Sequence, residues 1–512
     1  MLNELELNLL DFFEKSTWNK KRGSYWLTVD NEEDFIFTIK KLKFDIGFSL
    51  FLDLFASESD QSIDIYYYFY HPIFKKQLIL KYKLIDTFNL ISIKDYWKAA
   101  ELKEYEIYDF YRLHIVRSTS RHLFVPSDFK ELPGLSIDLK NKLLNSNRIL
   151  INSESTSSRL LPLNGNEEEL SFDHIDKYNC PTGKIVLNNN IVKEVSIDYG
   201  NFHKGIESKI VSNGFSSIEE ILEEVDHFSY FENKISFYML CESILNIKVS
   251  SNTKVIRTIL LELEKLYKNL SLFLNLCKIK KFSFLQQVEK LYIKIHAIIE
   301  NVKSSLSLNK TIKNSLYDLT EIQNELISII DTNNLKKLLK SYKNSSISSY
   351  DDIVNIGVTG PTLRSCGMNL DWRDISDKLI YDELSFSKKL YSKGSLLDRY
   401  CVRLDDIFSS FKLILILLDT VKVTDDISIT NNIKLDELNK SNDGEFVNFI
   451  ESTNGLLIHS IIIKDGIVTR YRISSPDIML IKLFQKIING ENVSDCEVIW
   501  NSLGINLNMV ER

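Results

Sequence analysis

A glycine-rich segment at residues 355–374 constrains the fold of this chain more than any other stretch. It reads NIGVTGPTLRSCGMNLDWRD and places three glycines and a proline around Arg364 before it ends in charged residues beside a tryptophan. Glycine adopts backbone angles that other residues resist, so this density predicts a loop of fixed shape. The alternative that these residues alone leave open is a capped connection between two helices.

The size and charge of the chain exclude several classes of protein. With 512 residues it is too long for one hydrophobic core, and we expect two or three domains. A formal charge of −7 argues against a general nucleic-acid binder. No apolar run approaches the roughly 18 residues that span a bilayer, and the acidic residues among the first leucines are unlike a signal peptide. We therefore expect a cytoplasmic protein whose membrane contact comes through partners.

The cysteines are scattered and do not form a metal-binding pattern. No two of the six occur as C-x-x-C, which disfavours a zinc ribbon or a set of iron–sulfur ligands. A cytoplasmic chain keeps its thiols reduced, so we expect each to be a small buried apolar side chain. They are Cys180, Cys241, Cys277, Cys366, Cys401 and Cys496.

Residues 63–84 have the composition of two β-strands. IDIYYYFY at 63–70 is β-branched and aromatic, and QLILKYKL at 77–84 alternates apolar residues with lysines. The pattern predicts two antiparallel strands with one buried face, followed by a helix over residues 97–111. Considered alone, the acidic residues of that helix predict a solvated helix face.

The helix sequence resembles a motif of the C subunit of NADH-quinone oxidoreductase, which is respiratory complex I. The family pattern W-x-A-A…E-R-E-x-Y-D-x-F is met here except that Tyr105 replaces the arginine. The matching residues after the W-x-A-A are Glu104, Glu106, Tyr108, Asp109 and Phe110. Further on, Arg121, Leu123 and Asp128 fit the next family segment, whose His-Pro is missing.

The glycine-rich loop resembles the T-G-P-x-L-R-x-S-G…D-R loop of the D subunit of the same complex. It is also similar to the related large subunit of membrane-bound nickel-iron hydrogenases. GNFHKGIES at 200–208 resembles the family's G-Y-x-H-R-G-I-E, and residues 381–410 match a later family segment in order. Three short strands predicted within residues 444–476, with Arg470 and Arg472 as matches, resemble the closing sheet of the family. The C subunit precedes the D subunit in fused versions of the pair, as it does here.

The resemblance implies an α+β fold in two parts. Residues 1–131 would form an α+β domain like the C subunit, with an antiparallel sheet. The Asn- and Ser-rich residues 132–170 would be a linker or crossing segment. Residues 171–512 would resemble the D subunit and form a large helical bundle flanked by small antiparallel sheets, like a hydrogenase large subunit.

The chain lacks the thiolates that a nickel-iron site requires. Soft nickel and iron need sulfur ligands, which the hydrogenases supply from two C-x-x-C pairs. The first pair would fall at residues 226–229, which read DHFS, and the second would place Asn506 and Met509 at cysteine positions. We therefore predict no bound metal and no active nickel-iron hydrogenase.

The quinone donors of complex I are also missing on the direct alignment. The family uses a tyrosine and a histidine to hydrogen-bond the quinone carbonyls. The H-P-x-x-H-G loop that carries the histidine is absent, and Glu224 stands at the tyrosine position while Asp226 and Tyr230 match the family. The polar residues that we place near a remodelled cavity are His203, Arg364, Asp371 and Arg373, with Glu224 and Tyr230 near the quinone-site segment.

Two hypotheses of different class follow. In the first, the chain is a peripheral-arm subunit that passes electrons from NADH or another donor, through a partner iron–sulfur subunit, toward a quinone or other acceptor. In the second, it is a non-catalytic scaffold that docks an electron-transfer subunit onto an ion-translocating membrane module. Both imply a small iron–sulfur partner, antiporter-like membrane partners and a peripheral place on the cytoplasmic side of the inner membrane. Neither assigns the chain a cofactor of its own, and its status as an enzyme stays open.

Overall fold

The structure, a computed structural model, describes most of the chain outside a long central gap. The described residues are 5–6, 9, 12–13, 18–21, 23–59, 62–85, 89–118, 123–124, 167–170, 172, 181–199, 203–307, 312, 316, 318–333, 335–384, 386, 388–420, 429–430, 433–440 and 443–510. Several sequence predictions lie outside these residues: the linker over 132–166, and the assignments of Arg121, Asp128, Cys180 and Gly200.

The N-terminal part is built on a five-stranded sheet. Its elements are β1 (Trp18–Lys21), β2 (Ser24–Val29), α1 (Glu32–Lys40), β3 (Leu50–Glu58), β4 (Ser62–His71), β5 (Lys76–Ile85), β6 (Asn89–Ile91), α2 (Ala100–Tyr111) and β7 (His114–Val116). The strand order is β1-β2-β5-β4-β3, and the predicted β4–β5 hairpin is present. All neighbouring strands are antiparallel except β2 and β5, which are parallel, and β6 and β7 form a separate parallel pair. The parallel pairing is possible because α1 and β3–β4 lie between β2 and β5 in sequence.

Both faces of β4 are buried, so the prediction of one buried face was wrong. Tyr67 and Phe69 point into the N-terminal core, where their rings meet Phe35 and Trp97. The alternate tyrosines, at 66, 68 and 70, face the C-terminal part of the chain. Successive side chains of a strand point to opposite faces, so covering both faces requires the continuous apolar run that the sequence shows.

Three of the four acidic residues of α2, Glu104, Glu106 and Asp109, are buried, so the prediction of a solvated helix face was wrong. The Glu104 carboxylate accepts hydrogen bonds from Ser92 Oγ at 2.7 Å and from the Ile93 amide at 2.8 Å. The Asp109 carboxylate accepts from the amides of Leu123 and Phe124 at 2.8 and 2.7 Å. Burial raises the pKa of Glu104 to about 7. These carboxylates therefore fix the chain on either side of the helix.

The C-terminal part is mainly helical, with two three-stranded antiparallel sheets. Its strands are β8 (Glu167–Glu169), β9 (Gly183–Asn188), β10 (Ile191–Ile197), β11 (Gly444–Glu451), β12 (Leu456–Lys464) and β13 (Ile467–Ser474). Its helices are α3 (Ile206–Asn213), α4 (Ile218–Glu223), α5 (Tyr230–Leu245), α6 (Ser251–Ile279), α7 (Leu285–Ser307), α8 (Leu319–Asn333), α9 (Leu335–Leu338), α10 (Tyr350–Ile356), α11 (Gly360–Ser365), α12 (Leu396–Thr420), α13 (Asp477–Ile487), α14 (Cys496–Leu503) and α15 (Leu507–Val510). The predicted α+β fold class is confirmed.

Helix α6 is the axis of the bundle and packs against α7, α12 and α14. The apolar stripe over residues 253–270 predicts an amphipathic helix. In the structure the helix begins where Ser250 Oγ accepts a hydrogen bond from the Thr253 amide, and it ends at Ile279, nine residues beyond the predicted end. Apart from its two ends it is buried nearly all round, including the charged residues Glu262, Glu264 and Lys265. An apolar stripe predicts one buried face, but a central helix buries its polar face as well.

Two further findings concern the cysteines and the helices. All five cysteines that the structure describes are buried and unpaired by disulfides, as predicted. No helix in the described part of the chain combines the length and the apolar character needed to span a bilayer.

Candidate functional site

The glycine-rich loop docks onto a turn of the closing sheet through direct backbone contact. Helix α10 ends at Gly357, whose φ of +77° lies in the left-handed region that favours glycine. Gly360 has φ +72°, and a side-chain carbon added there would collide with the backbone of Gly455. The Leu456 amide then donates to Thr359 Oγ1 at 2.9 Å. The fixed loop predicted from sequence is thus held against the β11–β12 turn.

Arg364 anchors the loop to three carboxylates. Its guanidinium lies 2.9 Å from Asp371, 2.5 Å from Asp406 and 3.3 Å from Glu451. These contacts join the loop to α12, which carries Asp406, and to the end of β11, which carries Glu451. The Arg364 side chain is only 2% exposed, so the charges meet out of contact with water.

Arg373 completes the cluster from the far end of the loop. Its guanidinium binds Asp371 at 2.8 Å and Glu262 on α6 at 3.3 Å. Glu262 also accepts hydrogen bonds from Tyr381 at 2.7 Å and from Ser410 at 2.5 Å. We call the seven charged residues of this site the loop cluster. They are Glu262, Lys265, Arg364, Asp371, Arg373, Asp406 and Glu451.

The loop cluster contains one more carboxylate than it has cations. Four acidic side chains face three basic ones in this group of described residues. Burial and the neighbouring Asp371 charge raise the pKa of Glu451 to about 7. Burial also opposes the ionisation of Asp371, but Arg373 and Arg364 hold its pKa far below the usual range. Glu451 is therefore the member that takes up a proton near neutral pH.

Three of the four residues that the sequence assigned to a cavity lie together. Arg364 and Arg373 both bind Asp371, and all three side chains are almost fully buried. Their contacts fix the loop. A place beside a quinone stays a prediction for these residues.

The fourth residue, His203, lies at a different place, next to α3. Its ring is within 5.7 Å of the Phe110 ring and 5.9 Å of the Phe124 ring, measured between centroids. His203 is exposed and borders a small, partly open cavity of about 10 Å³ that Glu106 and Glu207 also line. A cavity of this size holds one water molecule, so the described residues around His203 do not enclose a quinone ring.

Glu224 and Tyr230, which the resemblance assigns to a quinone-site segment, lie at the end of α4 and the start of α5. Glu224 pairs with Lys209 at 2.9 Å on the surface, where the two side chains are 55% and 47% exposed. Tyr230 begins α5, and its hydroxyl accepts a hydrogen bond from Lys234 at 3.0 Å. Lys204 donates to the carbonyl oxygens of Glu224 and Val225 at 2.9 Å, which ties this segment to GNFHKGIES.

The two segments at the hydrogenase cysteine positions meet in the structure. Asn506 Nδ2 donates to Asp226 Oδ2 at 2.6 Å, and the Asn506 amide donates to Asp477 at 2.8 Å. The Nδ2 of Asn233 lies 3.7 Å from the sulfur of Met509. Within the described residues no group of three or more His, Cys, Asp or Glu side chains could hold a metal ion. An amide–carboxylate pair therefore occupies the place where thiolates would meet.

A second buried polar group beside this pair escaped the sequence analysis. Lys268 on α6 binds Glu232 at 2.6 Å and Ser229 at 2.8 Å. Glu264, one turn before Lys268, accepts from two backbone amides at the start of α5. Burial raises the pKa of Glu264 to about 8 and that of Asp477 to about 6. The sequence offered one signal for this group, because Glu264 and Lys268 lie four residues apart on the amphipathic helix α6.

A buried charge cluster also joins the N-terminal and C-terminal parts. Arg472 on β13 binds Asp53 on β3 through two contacts of 3.0 Å and Glu106 on α2 at 3.0 Å. Asp53 also lies 3.0 Å from Lys103. Arg470 binds Glu207 on α3 at 2.7 Å. We call this group the seam cluster: Asp53, Lys103, Glu106, Glu207, Arg470 and Arg472.

The seam cluster is balanced, with three cations and three carboxylates. Burial opposes the charge of Asp53, but Arg472 and Lys103 hold the pKa of Asp53 well below its usual range. The carboxylates of Asp53 and Glu207 likewise raise the pKa of their arginine partners. The sequence contained one sign of the cluster, because Arg470 and Arg472 are two residues apart on a strand and must share a face.

Comparison with known proteins finds two family models in one chain. The model of the respiratory-chain NADH dehydrogenase 30 kDa subunit matches residues 28–138, and that of the 49 kDa subunit matches residues 287–512. The C/D subunit of NADH-quinone oxidoreductase from Bacteroides thetaiotaomicron is 24% identical over 402 residues, covering 72% of this chain and 76% of its own length. The Bacteroides fragilis protein of the same name is 24% identical and covers 66% and 69%. The D subunit from Clostridium beijerinckii is 24% identical and covers 61% and 88%.

Proposed function

Because the chain belongs to the family of the C and D subunits of NADH-quinone oxidoreductase, joined here in one polypeptide, we propose that it is a peripheral-arm subunit of such a complex. It would work with partner subunits of the same assembly. We place it on the cytoplasmic side of the inner membrane, held there by membrane partners.

The seam cluster is the observation that carries this proposal. Six buried charges connect the part that resembles the C subunit to the part that resembles the D subunit, with Arg472 between Asp53 and Glu106. A buried charge without its partner is strongly destabilising, so the two parts favour one fixed arrangement. That arrangement suits a protein that must present both parts to the same neighbours.

In detail, we propose that electrons pass from NADH or another donor, through an iron–sulfur cluster in a small partner subunit, toward a quinone or other acceptor. This chain would hold its partners' docking surfaces in a fixed geometry. The loop cluster fixes the glycine-rich loop. Lys204 holds its own segment against residues 224–225. The one-water cavity beside His203 does not fit a quinone, so we derive no step at a quinone from the described residues.

The first test is purification of the tagged full-length protein from membranes, with identification of its partners. We expect a small iron–sulfur subunit and antiporter-like membrane subunits to copurify, with iron present and an absorption spectrum typical of iron–sulfur clusters. Recovery of the chain without any iron–sulfur partner would contradict the electron-transfer function.

A second candidate function is a scaffold without redox chemistry of its own. Two observations favour it. Glu224 stands at the tyrosine position and is exposed and paired with Lys209, and Asn506 binds Asp226 where the related hydrogenases have thiolates. In this role the chain would dock the iron–sulfur partner onto the membrane module, and electrons would bypass it.

Variants near the site separate the two functions. Asp226→Asn and His203→Gln should leave assembly intact while changing the rate or the KM of acceptor reduction if the acceptor lies against this chain. Lys294→Met, on the exposed face of α7, is the matched control and should change neither. Unchanged kinetics in an assembled complex for both test variants would favour the scaffold.

A further inference from the structure

A cleft between the two parts of the chain has no role in the function proposed above. It has a volume of about 500 Å³ and opens to solvent. Residues 23–24 and 75–77 form its N-terminal wall, and residues 372–378 and 447–449 form most of the opposite wall. Trp372, at the end of the glycine-rich loop, lies in this opposite wall.

Two buried hydrogen-bond donors beside the cleft lack an acceptor among the described residues. The indole Nε1 of Trp372 and the hydroxyl of Tyr70 are both shielded from solvent and make no hydrogen bond within the described structure. Their side chains are 1% and 0% exposed, and their rings lie 5.2 Å apart between centroids. Buried donors are nearly always paired in proteins, so two unpaired donors on neighbouring rings indicate a place for an acceptor.

The mouth of the cleft is rich in cations. Lys75 is exposed and Lys76 half-buried, and neither pairs with a carboxylate among the residues that the structure describes. Glu242 on the inner wall is already bound by Arg257 through contacts of 2.8 and 3.0 Å. Asp377 remains as an exposed acidic side chain on the rim. Lys378 adds a third lysine to the lining, so the local charge favours an anion.

We propose that this cleft binds a small monocarboxylate with a flat apolar body. Its carboxylate oxygens would accept hydrogen bonds from Trp372 Nε1 and Tyr70 Oη, while Lys75 and Lys76 attract it at the mouth. Its body would lie against the apolar side chains of the opposite wall, such as Phe449. The ligand reaches the shielded donors by displacing lining side chains, and those of Lys76 and Met239 are long and unbranched. Two neutral donors suit a carboxylate better than a doubly charged phosphate.

The first experiment titrates the full-length protein with benzoate, benzamide and inorganic phosphate. We expect benzoate to bind with a measurable heat and to raise the melting temperature. Benzamide has the same shape without the charge and should bind at least tenfold more weakly, and phosphate should not compete with benzoate. Absence of benzoate binding would overturn the proposal, and equal binding of phosphate would overturn the carboxylate assignment.

Tyr70→Phe provides the variant test, because it removes one hydroxyl and keeps the ring. The unpaired hydroxyl costs free energy in the ligand-free protein, so this variant should keep or raise the melting temperature. It should weaken benzoate binding about threefold to tenfold, as the loss of one hydrogen bond does. Lys75→Met combined with Lys76→Met should weaken binding further and reduce its salt dependence, while Lys209→Met should change nothing. Benzoate binding that all these variants leave unchanged would place the ligand elsewhere and overturn the proposal.

Discussion

The seam cluster and the loop cluster are both buried, yet they differ in charge balance. Three cations meet three carboxylates in the seam cluster, and three meet four in the loop cluster. The balanced cluster holds the pKa of Asp53 low, whereas the unbalanced one has Glu451 with a pKa of about 7. The balance between cations and carboxylates, rather than burial alone, decides whether a buried cluster takes up a proton near neutral pH.

The largest effect should come from removing the central cation of the seam cluster. Arg472→Met would leave Asp53 and Glu106 buried without their main partner. We expect a loss of about 3–5 kcal/mol in the free energy of unfolding, which urea denaturation would measure. Lys209→Met, on the surface, is the control. A loss below about 1 kcal/mol would mean that the two parts of the chain are not held by this cluster.

Removing one carboxylate tests the charge balance of the seam cluster. Glu106→Gln would leave the seam cluster with an excess cation and replace a charged acceptor of Arg472 with a neutral one. We expect a loss of about 2 kcal/mol in the free energy of unfolding, which urea denaturation measures against the Lys209→Met control. A loss below about 0.5 kcal/mol would mean that Arg472 does not depend on the charge of Glu106.

Much of this fold could be predicted from the sequence, because its local signals agree with its packing. The β4–β5 hairpin and the three closing strands occur as expected. So does the β9–β10 hairpin, which the asparagine turn at residues 188–190 predicts. The turns of β9–β10 and β12–β13 carry Asn or Gly residues at positive φ, as at Asn189 and Gly466, which is a local requirement. The parallel pairing of β2 with β5 was missed, because it depends on contacts distant in sequence.

The candidate site was predictable only in part. The loop holds Arg364, Asp371 and Arg373 within a few residues of one another, so sequence proximity alone suggested that they interact. Their partners Glu262 and Asp406 come from helices α6 and α12, and no local pattern links these helices to the loop. The second face of β4 was missed for the same reason, since its cover is β11–β12, more than 370 residues away.

The loop cluster should make stability depend on pH through Glu451. Its pKa of about 7 in the folded protein lies above the usual value of 4.5, so the folded state binds the extra proton between these values. Stability from this group is therefore complete below about pH 4.5 and is lost as pH rises through 7. Arg364, Arg373, Lys265 and Asp371 are the charges that set this pKa.

Glu451→Gln should abolish this pH dependence, because glutamine mimics the protonated acid. We expect the unfolding free energy of the wild type, relative to the variant, to fall by about 2 kcal/mol or less from pH 5 to pH 8. Urea denaturation at several pH values measures the difference. A wild type whose stability relative to the variant rises with pH would show that Glu451 is ionised throughout, and that another member holds the proton.

The smallest effect should come from the surface pair at the quinone-site segment. Glu224→Tyr restores the tyrosine of the family and removes the ion pair with Lys209, whose members are about half exposed. Exposed pairs contribute little, so we expect the free energy of unfolding to change by less than about 0.5 kcal/mol. Lys204 binds the carbonyl oxygen of Glu224 and not its side chain, so this anchor should persist in the variant. A loss above about 1 kcal/mol would mean that the Glu224 carboxylate supports the fold. The expected result would follow from burial, since the Glu224 side chain is about half exposed while Arg364, Asp371 and Arg373 of the loop cluster have buried partners.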